Sequence, residues 1–147
     1  MDRSKVLYQI VPKIISILFT VLFVYAATSK LIDFDHFKTQ LIKSPYISNY
    51  AHWISWGIPT IEYILAGLFV FQIYTLKAFY ASFSLMTLFT IYIVFVLNFS
   101  DSIPCSCGGV LSSLGWKDHV IFNMVFIVLS LIGIITTHKQ QHIHIQK

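Results

Sequence analysis

Four long stretches of this sequence carry almost no charge. Three of them contain no charged residue: Ile14–Ser29, Ala78–Phe99 and Val120–Thr137. The fourth runs from about Ile54 to Tyr74 and contains one, Glu62. A helix of about 20 apolar residues crosses the hydrocarbon core of a bilayer. The sequence therefore predicts an all-α membrane protein, a bundle of four transmembrane helices in one domain over residues 1–147. The predicted helices span about 12–32, 54–75, 78–99 and 119–137.

Composition excludes the other main classes of protein. Of the 147 residues, 56% are hydrophobic and 11% are charged, whereas about 25% of a typical soluble domain is charged. The ten Lys and Arg residues are scattered, which argues against a nucleic-acid surface, and so apolar a chain does not stay disordered. The lipid bilayer is the expected partner. For the first stretch the alternative is a signal peptide, because Arg3 and Lys5 precede it and Val24-Tyr25-Ala26 resembles a cleavage site.

The connections on either side of the second predicted helix differ in length. Only a few residues around Lys77 separate the second and third helices, so these two are predicted to be antiparallel neighbours. In the longer connection before the second helix, Phe34, Phe37 and Leu41 recur at helical spacing. We predict a short interfacial helix there, with Asp33 as its N-cap. The alternative is an irregular loop held near the headgroups by an aromatic belt of Tyr46, Tyr50, Trp53 and Trp56.

The basic residues predict an orientation in the membrane. With the N-terminus inside, six basic residues face the cytoplasm and four face the other side, a bias that follows the positive-inside rule. The inner set is Arg3, Lys5, Lys13, Lys77, Lys139 and Lys147, and the outer set is Lys30, Lys38, Lys43 and Lys117. The same orientation places the cysteine-containing segment Ser100–Lys117 in the oxidising compartment. Both termini are therefore predicted to be cytoplasmic.

Cys105 and Cys107 are the only cysteines, and one residue separates them. An extended chain holds such Cα atoms about 6.6 to 7.2 Å apart, at the limit that a disulfide bridges, so a bond within the pair is strained and easily reduced. This favours an exchanging pair; a structural turn and a soft-metal site are the alternatives. Two glycines follow Cys107, and their small size allows successive N–H groups to point at one thiolate and lower its energy. Cys107 is therefore predicted to attack a partner, and Cys105 to resolve the mixed disulfide.

Several polar residues of the predicted helices fall near the cysteine segment. Lys30 ends the first helix, where its amine is expected to reach the interface, and Glu62 is expected about 12 Å below the outer start of the second helix. Asn98 closes the third helix, and His119 and Asn123 share one face of the fourth. We predict that these groups converge beneath the cysteine segment and handle protons or bind a ligand. The alternatives are a structural Glu62–Lys30 ion pair and a His119 that merely ends an amphipathic helix.

Two motifs in the first half of the chain resemble a known family of membrane proteins. Pro59-Thr60-Ile61-Glu62 followed by Gly67 is similar to the second helix of DoxX-like proteins. The run Tyr25–Lys30, followed by Asp33 and Phe37, is similar to the end of their first helix. These motifs agree with the four-helix architecture predicted from the apolar stretches.

The cysteine segment resembles one branch of that family. PCSCGGVL, followed by Trp116, His119 and Asn123, is similar to MauE, whose members are redox-associated four-helix proteins linked to maturation of methylamine dehydrogenase. The resemblance covers residues 11–137. It implies a multi-pass protein of the bacterial inner membrane that serves periplasmic thiol and disulfide chemistry. The implied partner is a thioredoxin-like protein or a substrate protein with thiols.

The motifs and the resemblance together predict roles for individual residues. Cys105 and Cys107 are the exchanging pair of a thiol-disulfide oxidoreductase or assembly factor, and Glu62 and His119 act beside them on protons. The predicted cofactor contacts are Lys30, Asn123 and Trp116. Quinone is a candidate cofactor by analogy with vitamin K epoxide reductase, another four-helix protein that passes electrons between thiols and quinone. This chain departs from that protein in having CXC instead of CXXC and in lacking a second cysteine pair.

Two other functions stand as alternatives. A soft-metal carrier would bind Cu(I) or Hg(II) through the two thiolates. Its second metal-binding site would be the histidine-rich tail, with His138, His142 and His144. On the predicted topology that tail lies on the opposite side of the membrane from the cysteines. The other alternative is a non-catalytic membrane subunit whose loop docks a partner protein.

Overall fold

The computed structural model describes residues 3–44, 46–99 and 115–145, and within them the side chains of residues 6–44, 46–99, 115 and 117–142. Its helices are α1 (Arg3–Ile32), α2 (Phe34–Lys43), α3 (Ala51–Val70), α4 (Thr75–Phe99) and α5 (Trp116–Ile145), with a short 3₁₀ turn at Ser48–Tyr50. The described ranges contain no β-strand. The predicted all-α fold is confirmed.

Four of the helices are long and apolar enough to cross a membrane. The candidate spans are Val6–Ile32, Ser48–Val70, Thr75–Phe99 and Lys117–His142. Large apolar side chains such as Ile17, Leu88 and Ile121 are exposed on the outside of the bundle, as expected where lipid replaces water around a helix that is apolar on all sides. Both the number of candidate spans in the described residues and their order along the chain agree with the prediction.

Three of the membrane helices are longer than predicted, and α3 lies three to five residues earlier in the chain than the predicted 54–75. α4 starts only three residues early, at Thr75, whereas α1 and α5 differ more. α1 begins at Arg3 and not near residue 12, so Pro12 lies inside the helix. α5 continues to Ile145, past the predicted end near Thr137. No proline or glycine interrupts residues 134–145, so the backbone stays helical after the side chains become polar. Loss of apolar character is therefore a poor guide to where a helix ends.

The turn between α3 and α4 comprises residues 71–74, so Lys77 belongs to the first turn of α4. The N–H of Ile73 donates to the carbonyl of Leu68 at 3.1 Å, and the N–H of Gln72 donates to that of Phe69 at 3.3 Å. This bonding pattern is a Schellman motif, with Gln72 (φ 54°) in the left-handed position that glycine usually occupies. The predicted hairpin is present. The exact end of α3 was not predictable, because the sequence has no glycine at the position where the helix stops.

The core of the bundle is aromatic. The ring of Phe19 on α1 lies 5.6 Å from that of Phe69 on α3, 6.1 Å from Phe79 on α4 and 5.3 Å from Phe126 on α5. α1 packs against both α3 and α5, and α4 packs mainly against α5. At Gly133 of α5 an added Cβ would lie 2.6 Å from the ring of Phe79. The packing of the Phe79 ring on α5 therefore leaves no room for a side chain at this position.

The predicted short helix after α1 is also present, as α2. It buries Phe37 and Leu41 against Ala51 of α3. Asp33 occupies the N-cap position, but its side chain makes no capping hydrogen bond. The carboxylate lies instead 3.6 Å from the Nδ1 of His36. The prediction of an amphipathic helix is confirmed, whereas the capping role of the Asp33 side chain is wrong.

The two ends of the bundle differ in the chain segments that they carry. The end where α4 finishes at Phe99 and α5 starts at Trp116 is called the cysteine end, because the chain between those helices contains Cys105 and Cys107. The end where residues 71–74 join α3 to α4 is called the turn end.

Candidate functional site

A cavity of about 60 Å³, enough for several water molecules, lies between α1, α3, α4 and α5. Four polar side chains line it, namely Lys30, Glu62, His119 and Asn123. The structure thus brings together four of the polar helix residues predicted to converge. The remaining walls are apolar and aromatic: Leu22, Phe23, Ala26, Met86, Phe89 and Phe122.

A buried ion pair lies in this cavity. The Nζ of Lys30 donates to Oε1 of Glu62 at 2.8 Å and to Oε2 at 3.1 Å, and it also donates to the carbonyl of Ala26 at 3.3 Å. Lys30 is 7% exposed and Glu62 is 2% exposed. All three ammonium hydrogens therefore have an acceptor within the protein. Each charge compensates the other in a region where either one alone would be costly.

This geometry corrects two sequence-based expectations. The amine of Lys30 does not extend to the interface but turns into the bundle toward Glu62, and it lies 6.0 Å from the ring centroid of Phe37 on α2. Glu62 is also further from the start of its helix than expected. Because α3 begins at Ala51, Glu62 lies about 16 Å along the helix from its start, instead of about 12 Å.

His119 and Asn123 lie in the first turns of α5, four residues apart, and both line the cavity. His119 is partly buried. Asn123 is 4% exposed, and its Nδ2 has no hydrogen-bond partner among the described residues. A buried amide donor without an acceptor costs free energy, so the cavity has a free donor for the oxygen of a ligand or a water molecule.

Asn98, the fifth polar residue predicted to converge, does not line this cavity. It is exposed and donates to the carbonyl of Val94 on its own helix at 2.8 Å, so its predicted place in the cluster is wrong. Trp116 is the first residue of α5, and its side chain lies outside the described residues. Cys105 and Cys107 also lie outside them.

The aromatic walls and the contribution of α2 could not be read from the sequence. Phe89 and Phe122 carry no distinguishing signal in a chain with 13 phenylalanines. Phe37 belongs to the helical spacing of the short helix and to the family motif after Lys30, and neither indicates that its ring lies near the amine of Lys30. These contacts depend on how the helices pack, which the periodicity of one helix does not specify.

The described residues contain no group of three or more His, Cys, Asp or Glu side chains that could hold a metal ion. The rings of His138 and His142 are 4.8 Å apart, but they lie near the far end of α5. His138 is about 28 Å along that helix from His119. These two parts of α5 are too far apart to contribute to one site.

The arrangement suits a ligand without net charge. The opposite charges of Lys30 and Glu62 compensate each other, the walls are apolar and aromatic, and the free donor of Asn123 calls for an acceptor oxygen. The fold and the site together define a class of protein: a multi-pass membrane protein whose helices enclose a buried ion pair in a small, mostly apolar cavity.

The family model described as methylamine utilisation protein MauE matches residues 8–136. The chain therefore belongs to the MauE family, as its cysteine segment indicates. The comparison with curated proteins found no match, and neither did the comparison with solved structures.

Proposed function

We propose that this MauE-family protein supports thiol and disulfide chemistry on the outer face of the bacterial inner membrane, with both termini in the cytoplasm. Cys105 and Cys107 are the exchanging pair. The observation that carries the proposal is the buried Lys30–Glu62 pair with His119, which lies in the first turn of α5, the helix that starts at the cysteine end. Ionisable groups inside a membrane-spanning bundle are costly and mark functional sites.

The proposed exchange conserves atoms and electrons. The thiolate of Cys107 attacks a disulfide of the partner protein, one partner sulfur leaves as a thiolate, and a mixed disulfide forms. Cys105 then displaces the second partner sulfur, so this chain gains a disulfide and the partner gains two thiols. Run in reverse, the same steps oxidise the partner. His119 and Glu62 are the proposed groups that accept or donate the two protons involved.

We further propose that an uncharged carbonyl compound of the quinone class places one carbonyl oxygen in the cavity, whose volume of about 60 Å³ admits only part of such a molecule. Asn123 Nδ2 would donate to a carbonyl oxygen, and Phe89 and Phe122 would pack against the ring. A quinone bound there would supply an acceptor for the two electrons of the dithiol. Lys30 would hold the Glu62 carboxylate in place, and Trp116, the first residue of the helix that carries His119, is a proposed further contact.

The soft-metal carrier is the second candidate function, and the cysteine spacing is the observation that favours it. Two thiolates one residue apart suit Cu(I) or Hg(II). The polar groups of the cavity do not extend such a site readily, because Lys30 is a cation and its partner Glu62 is a hard oxygen ligand. A docking subunit without redox chemistry would need neither the cysteines nor the ion pair.

Trapping of the mixed disulfide tests the proposal. Cys105→Ser removes the resolving thiol, so a covalent complex between Cys107 and a periplasmic protein is expected to accumulate and to disappear on reduction. Cys107→Ser is the matched control and should trap little. The reverse pattern would exchange the two roles. If neither variant traps a partner and the purified wild-type protein carries copper or mercury, the carrier function is correct and thiol exchange is not.

A further inference from the structure

A second cavity, a groove of about 680 Å³, lies at the turn end of the bundle. Its volume is in the range of sites for small molecules, roughly 300–1,000 Å³. Its polar lining comes from α1, from the turn after α3, and from α4 and α5, and includes Lys13, Gln72, Thr75 and Thr137. Lys13 is about 26 Å along α1 from Lys30. The groove is therefore separate from the cavity of the ion pair.

One buried hydroxyl in this groove has no hydrogen-bond partner among the residues that the structure describes. Thr137 is 6% exposed, and its Oγ1 makes no hydrogen bond within the described residues. Its neighbour Thr136 is also buried, but that hydroxyl donates to the carbonyl of Ile132 at 2.7 Å. The buried hydroxyls of Ser82 and Thr90 bond in the same way to the carbonyl four residues earlier. Because buried polar atoms are normally paired, the Thr137 hydroxyl, unpaired among the described residues, indicates that the groove binds a ligand with a hydrogen-bonding group.

The charged side chains that the structure describes at the turn end are all lysines: Lys13, Lys77 and Lys139. The acidic side chains that it describes lie in other parts of the bundle: Asp33, Asp35, Glu62 and Asp118. The Nζ of Lys77 lies 4.8 Å from the ring centroid of Tyr74, which also lines the groove. An anion at this end therefore meets cations and no described carboxylate.

The start of α4 adds backbone donors. The N–H of Ala78 donates to the carbonyl of Tyr74 at 2.9 Å, and the N–H groups of Thr75, Leu76 and Lys77 precede it. The first N–H groups of a helix lack acceptors within the helix, and the helix dipole favours negative charge beside them. α4 is 25 residues long, so its first N–H groups lie at the positive end of a long helix dipole. Together with the lysines and Thr137, they favour an anion at this end.

We propose that the groove binds a phosphate group, that of an anionic phospholipid. The phosphate oxygens would accept from Thr137 and from the start of α4, and Lys13 would compensate their charge. A lipid source is favoured because the groove borders the four residues between two candidate spans, one ending at Val70 and the next starting at Thr75, where lipid headgroups are expected. Phe71 and Ile73 beside it are exposed and apolar, as acyl-chain contacts require. The site does not depend on the proposed thiol function.

Native mass spectrometry of the purified full-length protein tests the proposal with three probes: phosphatidylglycerol, phosphatidylcholine and sodium phosphate. Phosphatidylglycerol is expected to be retained about fivefold better than phosphatidylcholine for each lysine that contacts it. Thr137→Val, which keeps the shape of the side chain but loses the hydroxyl, should lower its retention about tenfold. Thr137→Ser should restore it, and Thr136→Val is the matched control that should not change it.

Each result separates the proposal from another explanation. Equal losses in Thr137→Val and Thr136→Val would overturn it, because packing and not a hydroxyl contact would then matter. Equal retention of the two lipids would overturn the preference for an anion. If Lys13→Gln weakens binding while Thr137→Val does not, only diffuse attraction is present and the site is refuted. Displacement of phosphatidylglycerol by sodium phosphate would support the phosphate site but overturn the lipid as its source.

Discussion

The ammonium of Lys30 near the end of α1 and the carboxylate of Glu62 in the middle of α3 face each other at 2.8 and 3.1 Å, with both side chains buried. The pair joins two helices that pack along their length. Removing one partner of such a pair leaves a buried charge alone, whereas removing both leaves none. A structural role and a functional role of the pair therefore separate in single and double variants.

Glu62→Gln is expected to destabilise the protein by about 3–5 kcal/mol, because the Lys30 ammonium loses its counter-charge inside the bundle. Lys30→Met/Glu62→Met should recover most of that loss, since no unpaired charge remains. Thermal unfolding in detergent measures both effects.

The same double variant decides whether the pair also has a functional role. If Glu62 takes part in proton transfer, Lys30→Met/Glu62→Met folds but leaves Cys105 and Cys107 unable to cycle, which alkylation of free thiols in cells would show. A double variant that is as stable and as active as the wild-type protein would reduce the pair to a structural contact. Asp35→Asn/Lys43→Gln, a change of two exposed residues of α2, controls for the loss of one charge of each sign.

Asn123→Leu is expected to raise stability by about 1 kcal/mol, because the variant no longer buries an amide donor without an acceptor. The same substitution should weaken binding of a short-chain quinone about tenfold by removal of a hydrogen bond. Unfolding temperature and quenching of intrinsic fluorescence by the quinone measure the two effects.

Asn98→Leu is the matched control for this prediction. The Asn98 amide is exposed and bonded to its own helix, so the substitution should leave quinone binding unchanged. If Asn123→Leu and Asn98→Leu bind quinone equally well, Asn123 does not contact the ligand. A lower unfolding temperature in Asn123→Leu would show that the wild-type amide already has a partner, such as a bound water molecule.

The polar side chains of the cavity were predictable from the sequence because each one is exceptional in its place. A carboxylate such as Glu62 in an apolar stretch must find a partner, and His119 and Asn123 had to share a face once a helix was assumed. The sequence identifies Lys30 as a polar residue of the site but does not determine the direction of its side chain, because a lysine there can reach either the membrane interface or a buried acid. The contact with Glu62 is fixed by the packing of α1 on α3, which no local pattern encodes.

The helix ends were less predictable for a different reason. Gln72 adopts a left-handed conformation in which glycine is the usual residue, so the stop signal after α3 is absent from the sequence. The polar tail from His138 onward continues α5 because nothing there breaks a helix. Apolar length indicates where a helix is inside the membrane, and backbone chemistry decides where it ends.

Gly133→Ala is expected to destabilise the bundle by about 1–3 kcal/mol through overpacking, because the new Cβ would lie 2.6 Å from the ring of Phe79. Phe79→Leu should relieve the clash, so the double variant is expected to lose less than the sum of the two single variants. The unfolding temperature in detergent reports all three changes.

Gly67→Ala is the matched control for the glycine substitution. An added Cβ at Gly67 meets nothing within 4 Å, and the gain in helix propensity should leave stability equal or higher. Equal effects of Gly133→Ala and Gly67→Ala on the unfolding temperature would contradict the close approach of α4 and α5.

The orientation of the chain can be tested with its own two cysteines. If the lysine distribution sets the topology, Cys105 and Cys107 are periplasmic, and a membrane-impermeant maleimide should label them in intact cells after mild reduction. A variant without native cysteines, Cys105→Ser/Cys107→Ser, supplies the background for two controls. In it, Lys43→Cys at the end of α2, where the residue is exposed, should be labelled in intact cells, and Lys147→Cys should be labelled only after lysis. Labelling of Lys147→Cys in intact cells, with Cys105 and Cys107 protected until lysis, would invert the topology. The cysteines would then face a reducing compartment, and the proposed periplasmic thiol exchange would be wrong.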